Sequence, residues 1–189
     1  MDRGVELVKN RLLRMAKALR QADLPFAVVG GNAVALWVSR VDEAAVRNTR
    51  DVDVLLRRED FQRVRDCLES AGFVYRRTAA PGKAGTMDVF LDGPGAKIRD
   101  AVHVVWANEK VRPESIEPSP DVTEAEDIGD FYLIHLDALV RMKLTSFRDK
   151  DRMHLRDLIA IGLVDLSWTA QIPPPLAERL QLILDDPEG

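Results

Sequence analysis

FAVVGGNAVALWVSR at residues 26–40, followed after a short polar connection by NTRDVDVLL at residues 48–56, carries the pattern that decides the fold. The first part is an apolar run, Phe26 to Val29, broken by Gly30-Gly31. Asn32 then stands where a helix N-cap would, and Ala33 to Val38 starts an amphipathic helix. The second part, Asp51 to Leu56, is apolar and β-branched with carboxylates at alternate positions, so it reads as a strand. Residues two apart on a strand share a face. Asp51 and Asp53 therefore emerge together, and Val52 and Val54 point the other way.

Two carboxylates that close repel unless a cation lies between them. Magnesium favours carboxylate, water and phosphate oxygens and needs few protein ligands. The pair thus suits one or two magnesium ions carrying a nucleoside triphosphate. The plainer reading is a solvated strand end whose acids pair with Arg50, Arg57 or Arg58. Gly30-Gly31 weighs against it. A strand that ends in two glycines and enters a helix presents free N–H groups and a positive dipole end to an anion, and glycine lets a phosphate approach the backbone. One strand end would hold phosphates and the next would hold their metal.

Working outward, residues 4 to 21 carry apolar side chains at helical spacing (Val5, Val8, Leu12, Met15, Ala16, Leu19), ended by Asp23 and Pro25. A helix is expected from Asp60 to Ser70, capped by Gly72. Strands are expected over Phe73–Arg77, Thr86–Leu91 and Ala101–Ala107, with a turn at Asp92-Gly93-Pro94-Gly95. Asn108 to Gly129, with prolines at 113, 118 and 120, reads as a long surface connection. Three helical stripes follow: Leu136 to Phe147, Leu155 to Ile159, and Leu176 to Leu184 after Pro173-Pro174-Pro175. The class is α/β, a small mixed sheet flanked by helices and followed by a helical tail.

A chain of 189 residues fits one domain, or one with a small appendage. Its net charge of −4 argues against a strongly basic, nucleic-acid-coating protein, although local basic patches such as Arg57-Arg58 and Arg76-Arg77 remain. Cys67 is the single cysteine, which leaves no internal disulfide or cysteine zinc site and suits a reducing cytoplasm. No apolar run approaches a membrane span, and the charged N-terminus lacks the apolar centre of a signal peptide.

The combination GG-N-A-x-A-L (30–36) with T-R-D-V-D-V-L-L (49–56) resembles the DNA polymerase β-type nucleotidyltransferase superfamily. It is most similar to the small prokaryotic branch with AbiEii-like toxins and lincosamide nucleotidyltransferases. The resemblance covers roughly residues 24 to 160. It implies a minimal nucleotidyltransferase core over 1–107, a connecting loop over 108–130 and a helical C-terminal subdomain over 131–189. It also implies magnesium- or manganese-dependent transfer of a nucleoside monophosphate from a nucleoside triphosphate to a hydroxyl on an RNA end such as tRNA, a protein or a small molecule. Gly30, Gly31 and Asn32 would cradle the phosphates, and Asp51 and Asp53 would hold the metal. A toxin-type member would add an antitoxin-like partner protein.

The third acid expected on the last core strand is not evident. His103, in Val102-His103-Val104, occupies the place where an Asp is expected, and Asp88 lies one strand earlier. Either could take the acceptor hydroxyl's proton. A histidine in that place leaves a second reading open, a nucleotide- or partner-binding module of the same fold. Lys143 sits in the apolar stripe of the first C-terminal helix, where it must be paired or reach past the core edge; the triphosphate would be a fitting partner. Lys150, His154 and Asp157 share a helix face and read as a structural ion-pair cluster.

Overall fold

The computed structural model describes residues 3–79, 85–187 and 189. Among these residues the chain runs α1 (Arg3–Gln21), β1 (Phe26–Val29), α2 (Gly30–Ser39), β2 (Val52–Leu56), α3 (Phe61–Ser70), β3 (Val74–Ala79), β4 (Thr86–Leu91), β5 (Ala101–Trp106), β6 (Ala125–Asp127), β7 (Tyr132–Ile134), α4 (Leu136–Ser146), α5 (Asp149–Ala160) and α6 (Pro174–Asp185). The strands form one mixed sheet in the order β3-β4-β5-β2-β1-β7-β6. No helix among the described residues is long and apolar enough to cross a membrane.

Most elements fall where their periodicity predicts. α1 buries Met15, Ala16 and Leu19 completely. It ends where Asp23 turns left-handed at φ 51° and the Leu24 N–H returns to the Leu19 carbonyl, a helix stop of the kind that glycine usually makes. Three expectations need correction. Asn32 is not an N-cap, because α2 starts at Gly30 directly from the strand. The segment 108–129 is not all surface connection: Ala125–Asp127 forms β6 and pairs antiparallel with β7. Strand β7, which the sequence reading also missed, pairs parallel with β1 at Val28↔Leu133 and extends the sheet. Three residues carry too little alternation to be legible as strands.

The sheet separates two cores. Phe26, Val28, Val52, Val54, Leu56, Phe90, Val102 and Val104 pack with α1 and α3. Ala27, Val29 and Leu55 share a core with α2 and the C-terminal helices, through Leu139, Leu144, Leu155, Leu176 and Leu180. Each of these fully buried leucines contributes roughly 1.5–3 kcal/mol. That packing holds the helical tail against the face of the sheet on which Asp53 lies.

The register brings the decisive stretch together. β1 runs antiparallel to β2 with Val29 opposite Asp53, so the end of β1 and the Gly30-Gly31 turn lie beside the start of β2. β5 runs parallel to β2 with Asp53 opposite His103. In a parallel pair, opposed residues share a face, so the imidazole joins the two carboxylates.

Candidate active site

Asp51, Asp53 and His103 form one cluster, with one donor atom from each lying within 4.8 Å of the others. His103 Nδ1 stands 3.9 Å from Asp51 Oδ2 and 3.7 Å from Asp53 Oδ1. Its Nε2 lies 2.9 Å from the Ile98 carbonyl. Burial would raise the Asp53 pKa, but contact with His103 and the fields of Lys143 and Lys150 outweigh it and hold the carboxyl below its usual range. Burial alone would lower the His103 pKa; Asp53, the Ile98 carbonyl and Asp51 reverse this and raise it.

The backbone that carries the pair is tied down from two sides. The Asn32 side-chain amide donates to the Asp51 carbonyl at 2.7 Å, and Arg11, 4% exposed, donates to the Arg50 carbonyl at 2.8 Å. Asn32, expected in the phosphate cradle, thus uses its side-chain amide to orient the strand entry. Arg11 gave no sequence signal, because its partners, the Arg50 carbonyl and the Asp92 carboxylate, lie 39 and 81 residues away.

Gly30 takes φ 68°, and a Cβ there would fall 1.9 Å from Asp53 Oδ2 and 2.7 Å from Asp53 Cβ. The turn and the carboxylate thus touch, and only glycine fits between them. Gly30→Ala combines left-handed strain with that clash, so a loss of about 1–3 kcal/mol is expected, several degrees in melting temperature. At Gly31 a Cβ would first meet the Thr49 side chain, 2.9 Å from Oγ1, at an ordinary backbone angle. Gly31→Ala is expected to cost less. Thermal unfolding of the two variants side by side checks the order, and equal melting temperatures would contradict it.

The opposite wall comes from the junction between α4 and α5. Phe147 turns left-handed at φ 50°, which ends α4 and reverses the chain. Asp151, 1% exposed, then accepts from Lys143 Nζ at 3.0 Å and Arg148 Nε at 2.7 Å, and its other bonds include the Arg148 backbone N–H at 3.2 Å. Burial would raise the Asp151 pKa, but Arg148 and Lys143 hold it far below the usual carboxylate range. Lys143 is thus spoken for inside the protein. Among the described residues Lys150 reaches the pair directly, 3.6 Å from Asp51 Oδ2 and 47% exposed.

The helix face carrying Lys150, His154 and Asp157 does not pair with itself. It packs on the segment before β2: Lys150 faces Asp51, and Asp157 receives both bonds of Arg47 Nε at 2.8 and 3.0 Å. Between this face and that segment lies a cleft of ≈ 570 Å³ lined by Arg47, Thr49, Arg50, Asp51, Lys150 and His154, among others. Its size is that of a small-molecule site.

His154 is 5% exposed, and its Nδ1 is buried without a hydrogen-bond partner. Burial, reinforced by Lys143 and Lys150, pushes its pKa down to about 4 from 6.5. Between those values the unfolded chain binds a proton that the folded chain refuses, so stability falls as pH falls. The loss is up to about 3 kcal/mol. His103, with its raised pKa, acts with the opposite sign and above pH 6.5. Melting temperatures are expected to fall from pH 6.5 to 5, and His154→Leu is expected to flatten that window. An unchanged slope in the variant would contradict the assignment.

Asp88 does not join the cluster. Its β4 neighbour Val89 is the residue opposite His103, so Asp88 points to the other face. There it is 8% exposed and accepts from Tyr75 Oη at 2.7 Å and Trp106 Nε1 at 3.1 Å. Those bonds make it a structural acid of the α1/α3 side.

Comparison with known proteins bears on the chain as a whole. The family model of uncharacterised nucleotidyltransferases matches residues 4–116. The chain belongs to that family. The nucleotidyltransferase also shares its fold with solved structures at low identity. A Helicobacter pylori protein described as a nucleotidyltransferase aligns over 100% of this chain and 80% of its own, at 15% identity and a TM-score of 0.56. The antibiotic-resistance factor ANT(2'')-Ia aligns over 94% and 92%, at 13% identity and a TM-score of 0.53. The Megavirus polyadenylate synthase aligns over 84% of this chain and 32% of its own, at 11% identity and a TM-score of 0.51. No curated protein matches the chain. The nucleotidyltransferase resemblance and the α/β class expected from the sequence are therefore those found.

Proposed function

We propose that this nucleotidyltransferase moves a nucleoside monophosphate from a nucleoside triphosphate to a hydroxyl acceptor in the cleft between the sheet and α5, with a divalent ion at Asp51 and Asp53. The charge pattern carries the reading. Two carboxylates and an imidazole within 4.8 Å make a donor set that fits a divalent cation. Arg47, Arg50 and Lys150 line the same cleft. Acids alone would suit a bare ion, and bases alone a bare anion. Both together suit an ion bound to a polyanion.

In this reading the N–H groups at Gly30-Gly31 and the start of α2 receive phosphate oxygens. Lys150, from the other wall, and Arg50 neutralise them. Lys143 adds its field from behind, already paired with Asp151. Magnesium or manganese at the Asp pair would supply charge neutralisation on the transferring phosphoryl group. The acceptor oxygen attacks the α-phosphorus, the bond to the bridging oxygen breaks, and pyrophosphate leaves with its electron pair. The hydroxyl proton passes to a carboxylate of the Asp51–Asp53 pair or to water beside it.

The test supplies each nucleoside triphosphate, labelled at the α-phosphate, with manganese or magnesium and pools of total RNA, protein or small hydroxyl compounds. Label should move into one pool as pyrophosphate appears, and γ-label should not follow. His103 in place of a third carboxylate favours a second reading, a module that binds nucleotide or a partner without transfer. Triphosphate binding with no labelled product from any pool would select it. Toxin-type membership would appear as co-purification with a small antitoxin-like protein.

A further inference from the structure

The identity of the third donor changes which ion the cluster prefers. We infer that His103 is a metal ligand through Nδ1 and that the site takes a first-row transition ion such as Mn²⁺ in preference to Mg²⁺. The inference rests on the proposed metal site and goes beyond it by assigning the ligand atom and the ion class.

The tautomer follows from one contact. His103 Nε2 lies 2.9 Å from the Ile98 carbonyl oxygen. A carbonyl only accepts, so Nε2 carries the hydrogen. In the neutral ring that leaves the lone pair on Nδ1, the atom that stands 3.7 Å from Asp53 Oδ1 and 3.9 Å from Asp51 Oδ2. A backbone carbonyl holding the far ring nitrogen is the usual way a ligating histidine is oriented. Here it comes from the short helical turn Ile98–Asp100, which leads directly into β5. The parallel register of β5 on β2, Asp53 opposite His103, fixes the ring over the carboxylates.

Imidazole nitrogen is a poorer donor for magnesium, a hard ion that prefers oxygen and retains its waters, than for transition ions. Two carboxylates and a histidine are therefore a softer set than three carboxylates. Ligation also removes His103 from the role of base, because one lone pair cannot hold an ion and receive the acceptor's proton at once.

Mn²⁺ is the probe, alone and with a non-reactive triphosphate analogue, because pulsed electron paramagnetic resonance detects a coordinated ¹⁴N nucleus. Wild-type protein is expected to show imidazole ¹⁴N coupling on the bound ion. His103→Asp and the closer-shaped His103→Asn are both expected to lose it. Calorimetry should show the Mn²⁺-over-Mg²⁺ preference falling about tenfold or more in His103→Asp. His154→Leu, which alters the histidine lining the cleft, should keep the coupling. Mn²⁺ bound without ¹⁴N coupling in wild type overturns the inference, as does an unchanged ion preference in His103→Asp or no Mn²⁺ binding under either condition. None of these readouts needs an acceptor, so failure of nucleotidyl transfer and failure of His103 ligation are separate results.

Discussion

Asp53→Asn is expected to lower nucleotidyl transfer at least about 10³-fold, about 4 kcal/mol of transition-state stabilisation, while the protein stays folded. Asp53 stands between the glycine turn and His103. It lies opposite Val29 at the end of β1 and opposite His103 on β5, and its carboxylate fills the space in which a Gly30 side chain would sit. The amide keeps that shape and removes the charge that would hold the ion. The fold should tolerate the change, because the backbone on either side of the residue is already set by the ladder to β1 and β5. Circular dichroism and the melting temperature report the fold, and pyrophosphate release reports the rate. A rate within tenfold of wild type, with an intact fold, would remove Asp53 from the metal site.

Asp151→Ala is expected to be the most destabilising single change, by about 3–5 kcal/mol, a large part of the 5–15 kcal/mol that holds a typical domain. The carboxylate is 1% exposed and its partner Lys143 8% exposed by side chain, so the alanine variant would leave an ammonium buried without its counter-charge. It would also free Arg148 and its backbone N–H. That would loosen the turn which sets Lys150 against Asp51. The double variant Lys143→Met/Asp151→Leu removes both charges, and buried pairs replaced by apolar groups are often neutral or more stable. Denaturant midpoints of the singles and the double separate these cases. An Asp151→Ala midpoint equal to that of wild type would contradict the account of the triad.

The contrast between these two acids shows what a sequence makes legible. Asp51 and Asp53 were visible because strand alternation places residues two apart on one face, and the Gly-Gly turn told which strand would lie alongside. Asp151 was not, because its partnership with Lys143 crosses a helix break at Phe147, and a left-handed phenylalanine leaves no compositional mark. Lys150 was read with His154 and Asp157 as one face, which it is. What the face packs against, the segment from Arg47 to Asp51, depends on how the helical tail folds back over the sheet. His103 stands where the third acid is expected and Asp88 is the alternative one strand earlier. Only the pairing of Val89 with His103 separates them, since a shift of one residue sends a side chain to the other face. β6 and β7 were missed because strands of three residues are defined by their neighbours more than by their own pattern.

The central claim is that Asp51 and Asp53 hold a divalent ion together with a triphosphate in the cleft beside Gly30. Calorimetric titration with a non-reactive nucleoside triphosphate analogue, with Mn²⁺ or with a chelator, tests it without any knowledge of the acceptor. The account predicts tight binding only when the ion is present, and loss of the ion-dependent gain in Asp51→Asn/Asp53→Asn. Equal affinity with ion and with chelator, or an ion-dependent gain that survives in the double variant, would contradict it.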